Sequence, residues 1–370
     1  MTKGKIRKAL IQIANVLKAA GGSTRPLTGP LRVQWDITFN CNSRCISCHR
    51  WREKHTPEEE LSTEEAKSLL RQFADCDVLN VSFAGNEPLL RRDIFELTSY
   101  AKEVGLTTSM NTNGLLVDEK VARLICQSGL DMIYFSLDGP NPETNDAIRG
   151  IKGAFQRTLE AAQLVKKARL KDSGPKVMVN TVANHLNVAR LVETADMCRS
   201  LQFDGMLIQP LHYIEKQFEA EDPLHFLPGD IDVLSRQLEV IKKDLMDFIP
   251  LMPEYFDHFR TFYENPDFLY RYRCLAAYGA IDIRPNGDFA PCPAWDLRLG
   301  NFHNISSFKE FWHSGPVQAV RRQVKDKQHP ICWFACIVPM NILVSYLHPS
   351  RWHKLLRPAL LLHVARKTGG

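Results

Sequence analysis

Between residues 31 and about 210, six short runs rich in β-branched and aromatic residues alternate with amphipathic stretches of helical period, and this alternation leaves few folds open. The strand candidates are 33–39, 78–83, 107–111, 132–137, 177–182 and 205–209; helical patterns lie between them at 63–74, 92–104, 118–128, 154–167 and 188–201. Ser62 or Thr63 with Glu65 has the form of a helix start, and Gly105 and Gly129 stand where helices should stop. Six strand–helix units in series imply a parallel sheet with right-handed crossovers. Six falls short of the eight strands of a closed barrel, and in either an open sheet or a barrel the chemistry collects at the C-terminal strand ends.

At ~150 residues per domain, the 370 residues allow two to three domains. The expected divisions are a basic amphipathic segment at 1–30, the strand–helix region at 31–212, a helical connector at 213–273, a second module at 274–336 and an apolar, basic tail at 337–370. Within the connector, 231–248 reads as a helix and 255–272 is aromatic. The second module opens with Ile281-Asp282-Ile283-Arg284, an Asn286-Gly287 turn and Phe289 to Cys292, which together read as a hairpin; two short helices follow at 306–312 and 317–324.

Charge separates the ends from the middle. Lys and Arg number 47 against 42 Asp and Glu, a net +5 that does not by itself argue for nucleic acid. The basic residues Lys3, Lys5, Arg7, Lys8, Lys18 and Arg25 precede the first acid, and Arg351, Lys354, Arg357, Arg366 and Lys367 occupy the last twenty residues with none. Lys3 to Lys18 share an expected helix with Ile6, Leu10, Ile13, Val16 and Leu17, the pattern of an interfacial helix. The tail repeats it with Ile342, Leu343, Val344, Tyr346 and Leu347, then Trp352, Leu355, Leu356 and Leu360 to Leu362. Contact with a membrane surface is one expectation; packing of both ends on the barrel or on another subunit is the other. The apolar runs at 337–347 and 355–365 are shorter than the ~20 residues that span a bilayer.

Ten cysteines accompany an N-terminus whose apolar residues are interrupted by Gln12 and Asn15, unlike a secretory signal. A reducing, cytoplasmic setting is expected, where clustered cysteines are metal ligands more often than cross-links. Cys41, Cys45 and Cys48 follow the first strand directly. Three thiolates at that spacing can converge on one inorganic cluster and leave an iron without a protein ligand. A zinc knuckle completed by His49 is the plainer alternative.

The C-x3-C-x2-C spacing after a first strand resembles the signature of the radical S-adenosylmethionine (SAM) superfamily, and the resemblance extends over about residues 31 to 210. Gly85-Asn86-Glu87-Pro88 is similar to its GGEP motif, with Asn86 in place of the second glycine; Asn111-Thr112-Asn113-Gly114 is similar to its T-N-G segment. Ser136-Leu137-Asp138-Gly139-Pro140, followed by Asp146, Arg149 and Gly150, resembles its S-x-D-G-P…D-x-x-R-G stretch. The resemblance implies an α/β fold, a partial (β/α)6 TIM-like barrel, with a 4Fe-4S cluster on Cys41, Cys45 and Cys48. It also implies a SAM-binding set of Gly85, Asn86, Glu87, Pro88, Asn111, Asn113, Ser136, Asp138 and Arg149, in which Glu87 holds the methionine ammonium while Ser136 and Arg149 meet its carboxylate. A bound zwitterion independently requires a carboxylate for one end and an arginine with a hydroxyl for the other.

Cys274, Gly287 and Cys292 resemble the opening of the SPASM and twitch extensions, which carry auxiliary iron–sulfur clusters. With Cys332 and Cys336 they make four ligands, enough for one auxiliary 4Fe-4S cluster in a small C-terminal hairpin-and-helix module. Cys332-x3-Cys336 departs from the more usual C-x2-C, and a four-cysteine zinc site is the alternative. Cys76, Cys126 and Cys198 read as buried thiols.

The resemblance implies an enzyme that cleaves SAM reductively to a 5′-deoxyadenosyl radical, supplied with electrons by a flavodoxin or ferredoxin, and that oxidises or cross-links a peptide or small-molecule substrate. A lipid or isoprenoid substrate at a membrane surface is a second reading. An iron–sulfur electron carrier would need the cysteines but not Glu87, Asn113, Ser136 or Arg149. No stacking platform for nucleic acid is visible. Trp35, Tyr134, His212, Tyr213, Trp295 and the aromatics of 255–272 are candidates to line a cavity or fill the core.

Overall fold

The computed structural model describes residues 3–46, 48, 50–52, 56, 59–170, 173–212 and 223–347, with the side chains of residues 3–5 and 52 excluded. Six parallel strands form the barrel: β1 (Arg32–Asp36), β2 (Asn80–Ala84), β3 (Thr107–Thr112), β4 (Met132–Ser136), β5 (Lys176–Ala183) and β6 (Gly205–Pro210). Helix α1 (Lys3–Ala20) precedes them. The crossovers carry α2 (Thr63–Asp75), α3 (Ile94–Glu103), α4 (Glu119–Gln127), α5 (Pro142–Arg149), α6 (Ala154–Ala168) and α7 (Leu191–Ser200). Local chemistry sets the helix ends. Ser62 and Glu65 form a reciprocal capping box on α2; Asp118 caps α4, and Asn141 with Pro142 starts α5.

The sheet runs β6-β5-β4-β3-β2-β1 and stays open, as six strands require. Alternation along β1 separates its two faces: Val33 and Trp35 are buried under the helices, Trp35 against Phe73 and Phe83, while Arg32 and Gln34 face inward. The inner face carries Asn111, Tyr134, Asn180 and Gln209 from later strands, so the lumen is polar where the outer layer is apolar.

After α8 (Asp230–Asp244), α9 (Pro253–Asp257) and α10 (Phe259–Glu264) comes the hairpin of β7 (Ala280–Ile283) and β8 (Asp288–Ala290), extended by β9 (Gly300–Asn301). The hairpin is not confined to a separate module. Strand β7 lies parallel to β1, with Arg32 opposite Ala280 and Gln34 opposite Asp282, so one nine-stranded sheet runs through both halves of the chain. Helices α11 (Phe308–Trp312), α12 (Gly315–Lys325) and α13 (Val338–Tyr346) follow. The expectation that the apolar residues at 342–347 face a membrane fails for most of them. Ile342, Val344 and Tyr346 are core residues, because α13 packs into the body of the protein. The remainder of the tail lies outside the described residues. Among the described residues, no helix is long and apolar enough to cross a membrane.

Candidate active site and iron–sulfur centres

The loop after β1 is fixed from three sides. Glu60 Oε1 accepts from Phe39 N and Thr38 Oγ1, both at 2.7 Å; Glu87 N donates to Asn40 O at 2.9 Å; and Ile46 N donates to Ile148 O at 3.2 Å. Gly150, at φ +66°, ends α5 against this loop. A Cβ there would stand 2.1 Å from Arg44 O, so only glycine permits the contact. Cys41, Cys45 and Cys48 emerge half-buried from the loop. Burial raises the Cys41 thiol to about 11, the Ser43 amide opposes this, and Glu87, Cys45 and Cys48 add to it. Burial likewise raises Cys48.

Glu87 is wholly buried at the end of β2. Its Oε1 accepts from Thr112 Oγ1 at 2.8 Å and Leu89 N at 3.1 Å, and its Oε2 from Asn113 N at 2.8 Å. Burial pushes its carboxyl up to about 7 against the pull of these donors. Asn113 then reaches the cysteine loop, its Nδ2 donating to Asn42 Oδ1 at 2.7 Å. Gly85 has φ +93°, and a Cβ would meet Asp36 Cα at 2.9 Å. The unusual Asn86 is outside the left-handed region and its side chain donates to Phe39 O, so the departure from two glycines is absorbed locally. Pro88 begins the short helical turn that follows.

Arg149, at the end of α5, pairs through Nη2 with Asp138 Oδ2 at 2.6 Å. Asp138 is itself fixed, Oδ1 accepting from Val182 N at 2.9 Å and its carbonyl from Asn187 Nδ2 at 2.9 Å. Burial opposes the charge on Arg149, but Asp138, Cys45 and Cys48 outweigh it and raise the guanidinium. Its Nε is buried without a hydrogen-bond partner, a donor available to an anionic group of a ligand. Ser136 ends β4 opposite Asn180, and Asn111 faces the lumen.

The second cysteine group is assembled from three segments. Gly287, at φ +81°, makes the reversal that brings Cys292 back beside Cys274, with Gly287 N donating to Arg284 O at 3.0 Å. Cys332 and Cys336 arrive on the segment before α13, anchored by Tyr255 and Trp333, each donating to the other's carbonyl at 3.0 and 2.8 Å. Burial lifts Cys274 to about 11 and Cys292 well above its ordinary value; Cys332 and Cys274 push Cys292 further, and Cys274 and Cys336 push Cys332.

Both thiol groups fit iron–sulfur clusters. Their members act on one another electrostatically. The electrostatic influence of Cys45 and Cys48 on Cys41, and of Cys274 and Cys336 on Cys332, shows that the thiols of each group lie near one another. His49, the fourth ligand of the zinc alternative, lies outside the described residues.

Between the groups runs a charged seam that the sequence reading did not single out. Asp36 pairs with Arg50, two residues beyond Cys48, and lies 3.8 Å from Arg284 Nη1. Asp282 sits 3.7 Å from Arg284 Nε, wholly buried, with both carboxylate oxygens lacking a hydrogen bond. Burial, reinforced by Asp36, pushes it well above the usual carboxylate range. An acid amid the apolar residues of a short strand was the available signal.

A 150 Å³ cavity occupies the lumen. Arg32, Gln34, Asn111, Tyr134, Asn180 and Gln209 form its walls, and Phe334 and Cys336 of the second cysteine segment close it. Trp35 is core, His212 stacks on Phe262 and Phe334, and Trp295 lies beside His329. Tyr213 is outside the described residues. Cys76 and Cys198 are buried and Cys126 half-buried, all among the helices.

Residues 35–198 match the family model of the Radical SAM superfamily, and residues 274–337 match that of an iron–sulfur cluster-binding domain, SPASM. An AdoMet-dependent heme synthase of Nitratidesulfovibrio vulgaris is 30% identical over 302 residues, 76% of this chain and 78% of the relative. A PqqA peptide cyclase of Rhodopseudomonas palustris is 25% identical over 81% of this chain and 78% of its own length. Among solved structures, Streptococcus suis SuiB bound to the precursor peptide SuiA has a TM-score of 0.62 at 20% identity, covering 82% of this chain and 69% of that one, a likeness of fold.

Proposed function

The chain belongs to the radical SAM superfamily and is an enzyme with SAM-binding and auxiliary 4Fe-4S clusters; on that premise, we propose that it oxidises or cross-links a peptide or small molecule held in the barrel lumen. When bound, the reduced cluster and SAM together supply a 5′-deoxyadenosyl radical that removes a hydrogen atom from an unactivated C–H bond. The chain's own residues do the placing. Cys41, Cys45 and Cys48 would hold the first cluster by three corners, and Cys274, Cys292, Cys332 and Cys336 the second by four. Glu87, ionised, would take the methionine ammonium of SAM, and the unpartnered Nε of Arg149 its carboxylate, with Asp138 fixing the guanidinium. Gly85, Asn86 and Pro88 would shape the strand end beneath the methionine, Asn113 would tie Glu87 to the cysteine loop, and Ser136 would face the carboxylate. Asn111 and Arg32 would orient the substrate.

One observation supports this reading: a polar cavity on the inner face of the barrel strands extends to Cys336 of the second cysteine group. A flavodoxin or ferredoxin is the proposed electron donor, and the auxiliary cluster the acceptor of the second electron of an oxidation. A lipid or isoprenoid substrate is the second reading, favoured by the exposed apolar face of α1. The test is anaerobic. Reduced protein should convert SAM to 5′-deoxyadenosine, a candidate substrate should accelerate this, and Arg32→Ala should remove the acceleration while leaving the substrate-free rate unchanged. Absence of 5′-deoxyadenosine from fully reconstituted protein would sink the reading.

A further inference from the structure

Helix α1 docks with its polar side inward. Gln12 and Asn15 are 1% and 0% exposed. The Gln12 amide donates to Gly29 O at 3.2 Å and Asp77 O at 2.9 Å, and Asn15 Oδ1 accepts from Leu27 N at 2.8 Å. Val16 and Ala19 complete the buried face. With the helix oriented this way, Ile6, Leu10, Ile13 and Leu17 point outward, 46%, 61%, 56% and 51% exposed. At 100° per residue these four form one continuous stripe, with Arg7 and Lys18 exposed along its edge. An amphipathic helix normally hides such a stripe. Here the buried amides have taken its place.

At Leu17 the stripe meets a cavity. This 730 Å³ space lies between Leu17 and Ala20 of α1 and Val344 and Leu347 beside it, and it is lined by Arg271, Arg273, Lys325 and Lys327 without any acid. Arg273 contributes a buried Nε that has no hydrogen-bond partner. An apolar ridge beside a basic hollow is a two-part surface.

We propose that α1 and this cavity form a docking site for an anionic lipid bilayer, the stripe entering the acyl boundary while the cavity receives a phosphate-bearing headgroup. Charge selects this occupant over the others within reach. A second copy docking by the same face would set Lys18 and the basic cavity against their own kind, Arg7 being already paired with Asp77. The chain's segment 348–370 is also basic and lacks any acid, so it too would be repelled. The site requires apolar depth and negative charge together, and an anionic bilayer presents both. Cys274 of the second cysteine group also borders the cavity, so the test reads membrane binding and iron content rather than turnover.

Co-sedimentation of the full-length holoprotein with vesicles tests it. Binding is expected to vesicles of mixed phosphatidylglycerol and phosphatidylcholine at low salt, and not to phosphatidylcholine alone. Leu10→Gln/Leu17→Gln and Lys325→Glu/Lys327→Glu should each weaken that binding by about tenfold or more. All four side chains reach the surface, so melting temperature and iron content should be unchanged, which separates lost docking from lost fold. Failure to bind the anionic vesicles would overturn the proposal and leave an acidic protein as the occupant. Wild-type binding by both double variants would overturn it as well, since the attraction would then belong to the C-terminal segment.

Discussion

The two cysteine groups are built on opposite plans. Cys41, Cys45 and Cys48 come from one short loop and are only half-buried; burial raises Cys41 and Cys48, with Glu87 and Arg50 as lesser influences. The other four come from three segments packed into the core, with Tyr255 and Trp333 clasped beside them, and Arg273, Asp282 and Arg32 act on them from a distance. A local loop can be held by its neighbours while leaving one corner of a cluster open. A set gathered from distant segments uses all four corners to hold those segments together. On the proposed ligand sets, the first centre would be suited to binding and the second to holding and conducting.

The largest test of this contrast is removal of either group. Cys41→Ala/Cys45→Ala/Cys48→Ala should abolish SAM cleavage and reduce reconstituted iron from about eight atoms per chain to about four. If the wild type holds only four and the triple variant none, the contrast collapses to a single centre. Conversely, Cys274→Ala/Cys292→Ala should retain about four irons and substrate-free SAM cleavage while losing the modified product. Third in size, Glu87→Ala and Arg149→Ala should each weaken SAM binding by about 1.5 to 3 kcal/mol at unchanged iron content, readable by calorimetry. Unaltered affinity in both would detach these residues from the open-corner site.

A smaller effect follows from pH. The Glu87 carboxyl, raised to about 7 by burial, must be ionised to meet an ammonium. SAM affinity should therefore rise up to about tenfold per unit below pH 7 and level off above it, a slope absent from Glu87→Gln. Without ligand the sign for stability is opposite. The unfolded chain ionises this group near the ordinary 4.5, so its contribution to folding declines as pH rises from there through about 7. The smallest effect is Gly287→Ala, which combines φ +81° with a Cβ 2.9 Å from Phe302 Cβ and 3.0 Å from Leu61 Cδ2. It should cost about 1 to 3 kcal/mol of thermal stability and release iron from the second centre before the first.

The strand–helix alternation and the local cysteine spacing were legible because both are short-range patterns. Strand β3 begins at Thr107 and α2 at Thr63, where period and capping residues place them; Glu87 follows the end of strand β2 and Arg149 ends helix α5. Three features escaped because they depend on tertiary context. Ile281-Asp282-Ile283 reads as a hairpin arm, and nothing local to it says that β1 is its other neighbour. Arg50, Asp36 and Asp282 are ordinary charges until folding brings them together. The helical period at 6–17 identifies an amphipathic helix but not which side is buried; Gln12 and Asn15 decide that through partners far along the chain.

The pairing of Arg32 with Ala280 also fixes an order of assembly. The first strand to leave the ribosome waits for one of the last before its outer edge is covered, a long-range closure of the kind that folds late. Any truncation before the hairpin would therefore leave the strand that leads into the loop of Cys41, Cys45 and Cys48 with a bare edge.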